Sequence, residues 1–131
     1  MSTVIRFGAM LGCIDGRCHG DDAAVAELQR RFGVGPVDRI TEPAIIKILS
    51  GKDGAYQEFI GRKLMISLRS HNAECIGIVG HTGCAVNTVP DEEQIQQIKK
   101  SVLALKRWRD IYVPIIGLFV NEKGQCEVIV E

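Results

Sequence analysis

Compact apolar runs alternate with amphipathic stretches along this chain, and the alternation predicts strands interleaved with helices. Met10 to Ile14 follows a short β-prone run and reads as the end of a first strand. In DDAAVAELQRRFG, Val25, Leu28 and Phe32 share one helical face; Asp21 or Asp22 can cap that helix and Gly33 can stop it. Val37 to Thr41 reads as a short strand. EPAIIKILSG reads as a helix with Glu42-Pro43 as its first turn and Gly51 at its end. DGAYQEFIGRKLMISLRSH is a longer helix, with Tyr56, Phe59, Ile60, Leu64 and Leu68 near helical spacing. ECIGIVG is a continuous apolar run suited to a buried strand. PDEEQIQQIKKSVLALKRW has acids in its first turn, bases in its last, and a stripe of Ile95, Ile98, Val102 and Leu105. PIIGLFV and CEVIV are strands separated by NEKG, a hairpin turn. The pattern predicts one α/β domain over residues 1–131, with a mainly parallel β-sheet flanked by helices and a C-terminal antiparallel edge hairpin.

Composition narrows the function more than the fold. A chain of 131 residues can bury a real core without staples. Sixteen basic residues balance sixteen acidic ones, so no bulk charge recruits nucleic acid or a membrane surface. No segment approaches the roughly 18 apolar residues of a membrane span. The start, MSTVIRFGAML, has one basic residue, and its apolar run is broken by Arg6 and Gly8, unlike an export signal. The expectation is therefore a cytoplasmic protein; the charge balance would suit a small neutral substrate but is not evidence for one. Five cysteines are an odd count, and without an export signal a disulfide framework is not expected. The cysteines are left for metal, catalysis or core packing.

Two stretches carry the chemistry: GCIDGRCHG at residues 12–20 and GHTGC at residues 80–84. Cys13 lies where the first strand ends, and His81 and Cys84 follow the strand ending in Gly80. Loops beyond the carboxyl ends of parallel strands converge on the ligand crevice of open α/β sheets. Two thiolates and one imidazole form a three-ligand zinc set, with a fourth position for water or for Asp15. The competing reading is two core cysteines and a hydrogen-bonded histidine. Asp15 and Arg17 follow Cys13 closely, so the arginine can hold the carboxylate ionised and orient it through a forked hydrogen bond.

Cys13-Ile14-Asp15-Gly16-Arg17 followed by Ile78-Val79-Gly80-His81-Thr82-Gly83-Cys84 resembles the paired C-x-D-x-R and H-x-x-C motifs of the β-class carbonic anhydrases. The order of elements is similar across most of the chain. The resemblance implies zinc (Zn2+) on Cys13, His81 and Cys84, and Asp15 and Arg17 as the catalytic dyad. Asp15 would either occupy the fourth position or swing to Arg17 and leave that position to water. It also implies reversible hydration of carbon dioxide to bicarbonate by zinc-bound hydroxide, in a homodimer or higher homo-oligomer. Alternative readings are hydrolysis of carbonyl sulfide or carbon disulfide at the same site, and a non-catalytic zinc-binding homologue.

The chain also departs from that family. Only twelve residues precede Cys13, where the family usually has long helices that wrap a partner. The usual Arg-Asn-Ala-Gly-Gly segment is replaced by Arg39-Ile40-Thr41-Glu42-Pro43-Ala44, of which only Arg39 and Ala44 echo it. Ala85 stands where a glycine commonly follows the second zinc cysteine. Cys18 and His19 are expected to line the start of the first helix, with an alternative ligand or a proton shuttle as their functional reading. His71 is expected to cap a helix or face solvent, Cys75 and Cys126 to pack in the core, and Trp108 and Arg109 to serve packing or an interface. Thiol redox chemistry between Cys13 and Cys18 is disfavoured, because their spacing is not C-x-x-C.

Overall fold

The computed structural model describes residues 4–17 and 22–131. The elements in chain order are β1 (Gly8–Gly12), α1 (Ala23–Phe32), β2 (Val37–Thr41), α2 (Ile45–Leu49), α3 (Gly54–Ser70), β3 (Ile76–His81), α4 (Asp91–Lys106), β4 (Ile115–Val120) and β5 (Cys126–Val130). They build one sheet of order β2-β1-β3-β4-β5. The first four strands run parallel, and β5 returns antiparallel along β4 as the predicted edge hairpin. The expected α/β architecture is what the chain adopts.

Both faces of the sheet are covered, which explains why its central strands are apolar throughout. Ala9, Leu11, Ile76, Ile78, Ile115 and Phe119 share a buried cluster with α2, α3 and α4. Met10, Val79, Ile116, Leu118 and Val120 share the other with α1. The alternation follows from the two-residue period of a strand. Ile98, Val102 and Leu105 of the α4 stripe are fully buried, and each contributes about 1.5–3 kcal/mol by leaving water. Gly117 of β4 lets α4 approach closely. A Cβ there would stand 2.5 Å from Ile98 Cγ2 and 2.8 Å from Val130 Cγ1.

Several local expectations give way to tertiary contacts. Cys13 and Ile14 lie beyond β1 rather than in it. Glu42-Pro43 is not the first turn of α2. The Glu42 N–H instead donates to the Gly12 carbonyl, one step past the β1–β2 ladder, and Ala44 turns left-handed (φ 53°) before the helix begins. Asp22 precedes α1 but makes no side-chain cap bond, because its carboxylate accepts from Arg39 at 2.7 Å. Phe59 is half exposed on α3 and carries the Lys63 ammonium over its ring at 4.7 Å. Trp108 packs against Gly61 and, with Arg109, lines a cleft of about 690 Å³ along α3. Among the described residues no helix is long and apolar enough to cross a membrane.

Gly117→Ala is expected to cost about 1–3 kcal/mol, since three β-branched side chains would have to yield in a close-packed layer. Urea unfolding should show a lower midpoint with an unchanged slope.

Candidate metal centre

β1 and β3 are adjacent and parallel, so their carboxyl ends meet at one edge of the sheet. Cys13 follows β1 directly, His81 is the last residue of β3, and Cys84 comes one turn later. Metal-capable atoms of the three residues lie within 4.8 Å of one another, and all three residues are buried. The two sulfurs are 3.9 Å apart. His81 Nδ1 is 2.8 Å from the Thr82 carbonyl oxygen. A carbonyl can only accept, so Nδ1 carries the proton and Nε2 is the nitrogen with a lone pair for a metal. Thr82 is itself held, by its N–H on the Val120 carbonyl and by its hydroxyl on Asp91 at the start of α4. Two thiols and one oriented imidazole fit a borderline-soft ion of the zinc type better than magnesium or calcium.

Backbone amides surround the sulfurs. The Ala44 N–H donates to Cys13 Sγ at 3.4 Å. The N–H groups of Val86 and Asn87 donate to Cys84. Burial pushes the Cys84 thiol above its ordinary range, the neighbouring Cys13 adds to the rise, and those two amides pull the other way. The 84–90 loop is held from α4, where Gln94 Nε2 donates to the Asn87 carbonyl and Asn87 Nδ2 donates to Gln97 Oε1.

Asp15 and Arg17 form the expected fork. Arg17 Nε donates to Oδ1 at 3.1 Å, Nη2 to Oδ2 at 2.6 Å, and the Arg17 backbone N–H to Oδ1 at 2.9 Å. Those side-chain and backbone bonds hold the Asp15 carboxyl far below the usual carboxylate range. The Asp15 carboxylate is thus turned to Arg17 and lies outside the cluster of three. The guanidinium in turn lies against Gly83, where a Cβ would stand 3.1 Å from Nη1. Gly83 also has a left-handed backbone (φ 66°), so glycine is required twice over. Beside the cluster opens a cavity of about 460 Å³, lined by Arg17, His81, Thr82, Asn121 and Lys123 among others.

The other expected residues fall elsewhere. Cys18 and His19 lie outside the described residues. His71 caps the end of α3, with Nδ1 2.7 Å from Asp38 Oδ2 and its ring stacked on Phe7. Cys75 is fully buried, and burial raises both its thiol and that of Cys126 to about 11, which marks them as unreactive. A polar cluster that sequence reading passed over lies at the end of β2. Glu42 is buried and accepts from Tyr56 Oη at 2.7 Å and from Lys63 Nζ at 2.5 Å. Burial opposes ionisation of Glu42, but those two bonds outweigh it and hold the carboxyl below its ordinary value. The available signal was Glu42 placed between a strand and the apolar run at residues 44–49; Lys63, beside Arg62 on an amphipathic helix, gave none.

Comparison with known proteins agrees with this geometry. Residues 3–130 match the family described as "Putative carbonic anhydrase". Among solved structures, the chain is similar to β-carbonic anhydrase isoform I of Trichomonas vaginalis, with a TM-score of 0.65, 17% identity, and coverage of 100% of this chain and 86% of that one. It is similar to a carbonic anhydrase from Glaciozyma antarctica, with a TM-score of 0.61, 19% identity, and coverage of 97% and 83%. It is also similar to the apo form of a carbon disulfide hydrolase, with a TM-score of 0.61, 15% identity, and coverage of 95% and 78%. At these identities the likeness is one of fold. No curated protein sequence matches the chain significantly.

Two measurements follow from these contacts. Gly83→Ala should lose about 1–2 kcal/mol from the left-handed backbone alone, read as a lower urea midpoint. Glu42 has a folded pKa below its unfolded value near 4.5. Its contribution to stability is therefore complete above that value and is lost as pH falls through the folded one. Unfolding free energies taken from about pH 3 to about pH 7 should show a shallower acid limb for Glu42→Gln than for the parent.

Proposed function

The chain belongs to the family described as "Putative carbonic anhydrase" and has the fold of the β-class enzymes, and from that premise we propose that it reversibly hydrates carbon dioxide to bicarbonate. The observation that carries this reading is the convergence of Cys13, His81 and Cys84 beside an Asp15–Arg17 fork. Cys13, His81 and Cys84 would hold zinc. When bound, zinc supplies Lewis acidity and makes a water molecule acidic enough to serve as a nucleophile near neutral pH.

The remaining work belongs to the chain. Arg17 keeps Asp15 ionised and aimed, since the fork fixes both carboxylate oxygens. Asp15 accepts a hydrogen bond from the attacking water and so orients its lone pair toward the electrophilic carbon. Addition across one C=O bond yields bicarbonate, and the displaced proton passes to buffer. The amides on the two sulfurs temper their negative charge, which would otherwise weaken acidification of the water. Arg17, Lys123 and Glu122 line the adjoining cavity together with His81, Thr82 and Asn121, a mixed polar lining with room for a small substrate.

The reading extends to assembly and setting. Ile14 and Val86 flank the ligand cysteines and are 59% and 54% exposed. An apolar rim around a buried site supports a homodimer or higher homo-oligomer, to be checked by sedimentation equilibrium. A cytoplasmic setting suits the free thiols Cys13, Cys75, Cys84 and Cys126. Hydrolysis of carbon disulfide or carbonyl sulfide is the second reading, favoured by the fold shared with a carbon disulfide hydrolase.

Stopped-flow hydration of carbon dioxide by protein of known zinc content decides between these. The expected rate scales with bound zinc and rises from about pH 6.5 to about pH 9. Zinc-loaded protein with no hydration but with sulfide release from carbon disulfide would move the assignment to the second reading. Turnover of neither substrate would leave a non-catalytic zinc protein. Cys84→Ser should lose both zinc and activity; retention of both would remove Cys84 from the ligand set.

A further inference from the structure

The turn that touches Cys13 is strained, and something must hold it. Ala44 has φ 53° and ψ 48°, a left-handed conformation that is strained for a non-glycine residue. Such outliers persist only where the surroundings over-determine them. Here the strained conformation sets the Ala44 N–H on Cys13 Sγ at 3.4 Å. On one side of Ala44, α2 begins, with the Lys47 and Ile48 N–H groups on its carbonyl. On the other side stand Pro43 and Glu42. Proline confines the residue before it to extended backbone, which matches the Glu42 N–H bond to the Gly12 carbonyl.

Glu42 adds a side-chain anchor. Both of its carboxylate oxygens are taken by α3, Oε2 by the Tyr56 hydroxyl and Oε1 by the Lys63 ammonium. Lys63 is steadied in turn over the Phe59 ring. A buried carboxylate bonded at both oxygens is a rigid tether, because losing either bond leaves a desolvated charge. The path from α3 to the sulfur therefore runs through Glu42, Pro43 and the amide of Ala44.

We propose that Glu42 is a positioning residue for the metal centre: its bonds to Tyr56 and Lys63 lock the Ala44 amide onto Cys13 and so set the charge that this sulfur donates to the metal. The inference rests on the metal reading above and deepens it. It assigns to the segment that departs from the related family's pattern a job of its own, holding one ligand from behind.

Cobalt(II) is the probe, because thiolate-to-cobalt absorption reports the sulfur directly and does not depend on turnover. In Glu42→Ala the cobalt dissociation constant should rise about tenfold, the usual cost of losing an outer partner of a metal ligand. The thiolate-to-cobalt band should move to longer wavelength, since a sulfur that loses its N–H donor gives up electron density more readily. Tyr56→Phe, which removes one bond and keeps the ring, should fall between the parent and Glu42→Ala. Ala44→Gly keeps the N–H and relieves the strain, so it should leave the band in place. A folded Glu42→Ala protein that is less stable but has the parent's cobalt affinity and band would overturn the proposal and leave Glu42 a purely structural tether. If Glu42→Ala does not fold, Tyr56→Phe decides by the same two readings. A parent protein with no thiolate-to-cobalt band would instead fail the metal assignment itself, a result that no Glu42 variant can produce.

Discussion

Parallel pairing of β1 with β3 is the constraint on which the rest of this molecule depends. Parallel neighbours end at the same edge of a sheet, so residues far apart in the chain leave it side by side. Cys13 and His81 emerge there, and the turn at Gly83 brings Cys84 back to them. That pairing is itself secured by burial on both faces. α1 packs on one side through Leu28 and α4 on the other through Ile98, so neither strand can slip without exposing its apolar row.

Around the three donors the chain manages charge. Burial pushes the Cys84 thiol up, and the Cys13 sulfur 3.9 Å away adds to the rise, so a second negative charge is disfavoured there. The structure answers with backbone amides, one on Cys13 and two on Cys84. The amide on Cys13 is placed by the Ala44 turn beside Glu42, and both amides on Cys84 by the Asn87 loop, which is bonded to Gln94 and Gln97. Asp15 contributes a further negative charge and brings its own counter-charge in Arg17. The Arg17 side chain lies against Gly83, so the two motif loops touch through a guanidinium and a glycine rather than only through the donors.

Much of this was legible before any coordinates. Alternating apolar runs placed every strand and helix of the sheet, and the α4 stripe of Ile98, Val102 and Leu105 is buried as its spacing requires. The clustered residues Cys13, His81 and Cys84 were legible as candidate donors because their chemistry is local to two short motifs. Misreadings cluster where a side chain had a distant partner. Asp22, one of the two candidate caps for α1, is drawn to Arg39 on β2, and the other, Asp21, lies outside the described residues. Glu42 and Pro43 were expected to open a helix, but the sheet claims the Glu42 amide and α3 claims its carboxylate. Phe59 has helical spacing yet serves as a platform for Lys63 rather than as core.

The sequence by itself determined the element order, the layered architecture and the three candidate metal donors with the aspartate and arginine beside them. Those follow from periodicity and from residue chemistry, which act over a few neighbouring positions. Tertiary structure alone decided which backbone amides reach the sulfurs, that the Arg17 guanidinium lies against Gly83, and that Ala44 is held in a left-handed turn beside a Glu42 gripped from α3. The physical reason is that hydrogen bonds between distant segments depend on orientation to within a fraction of an ångström. Hydrophobic patterning carries no such information, because burial is non-directional.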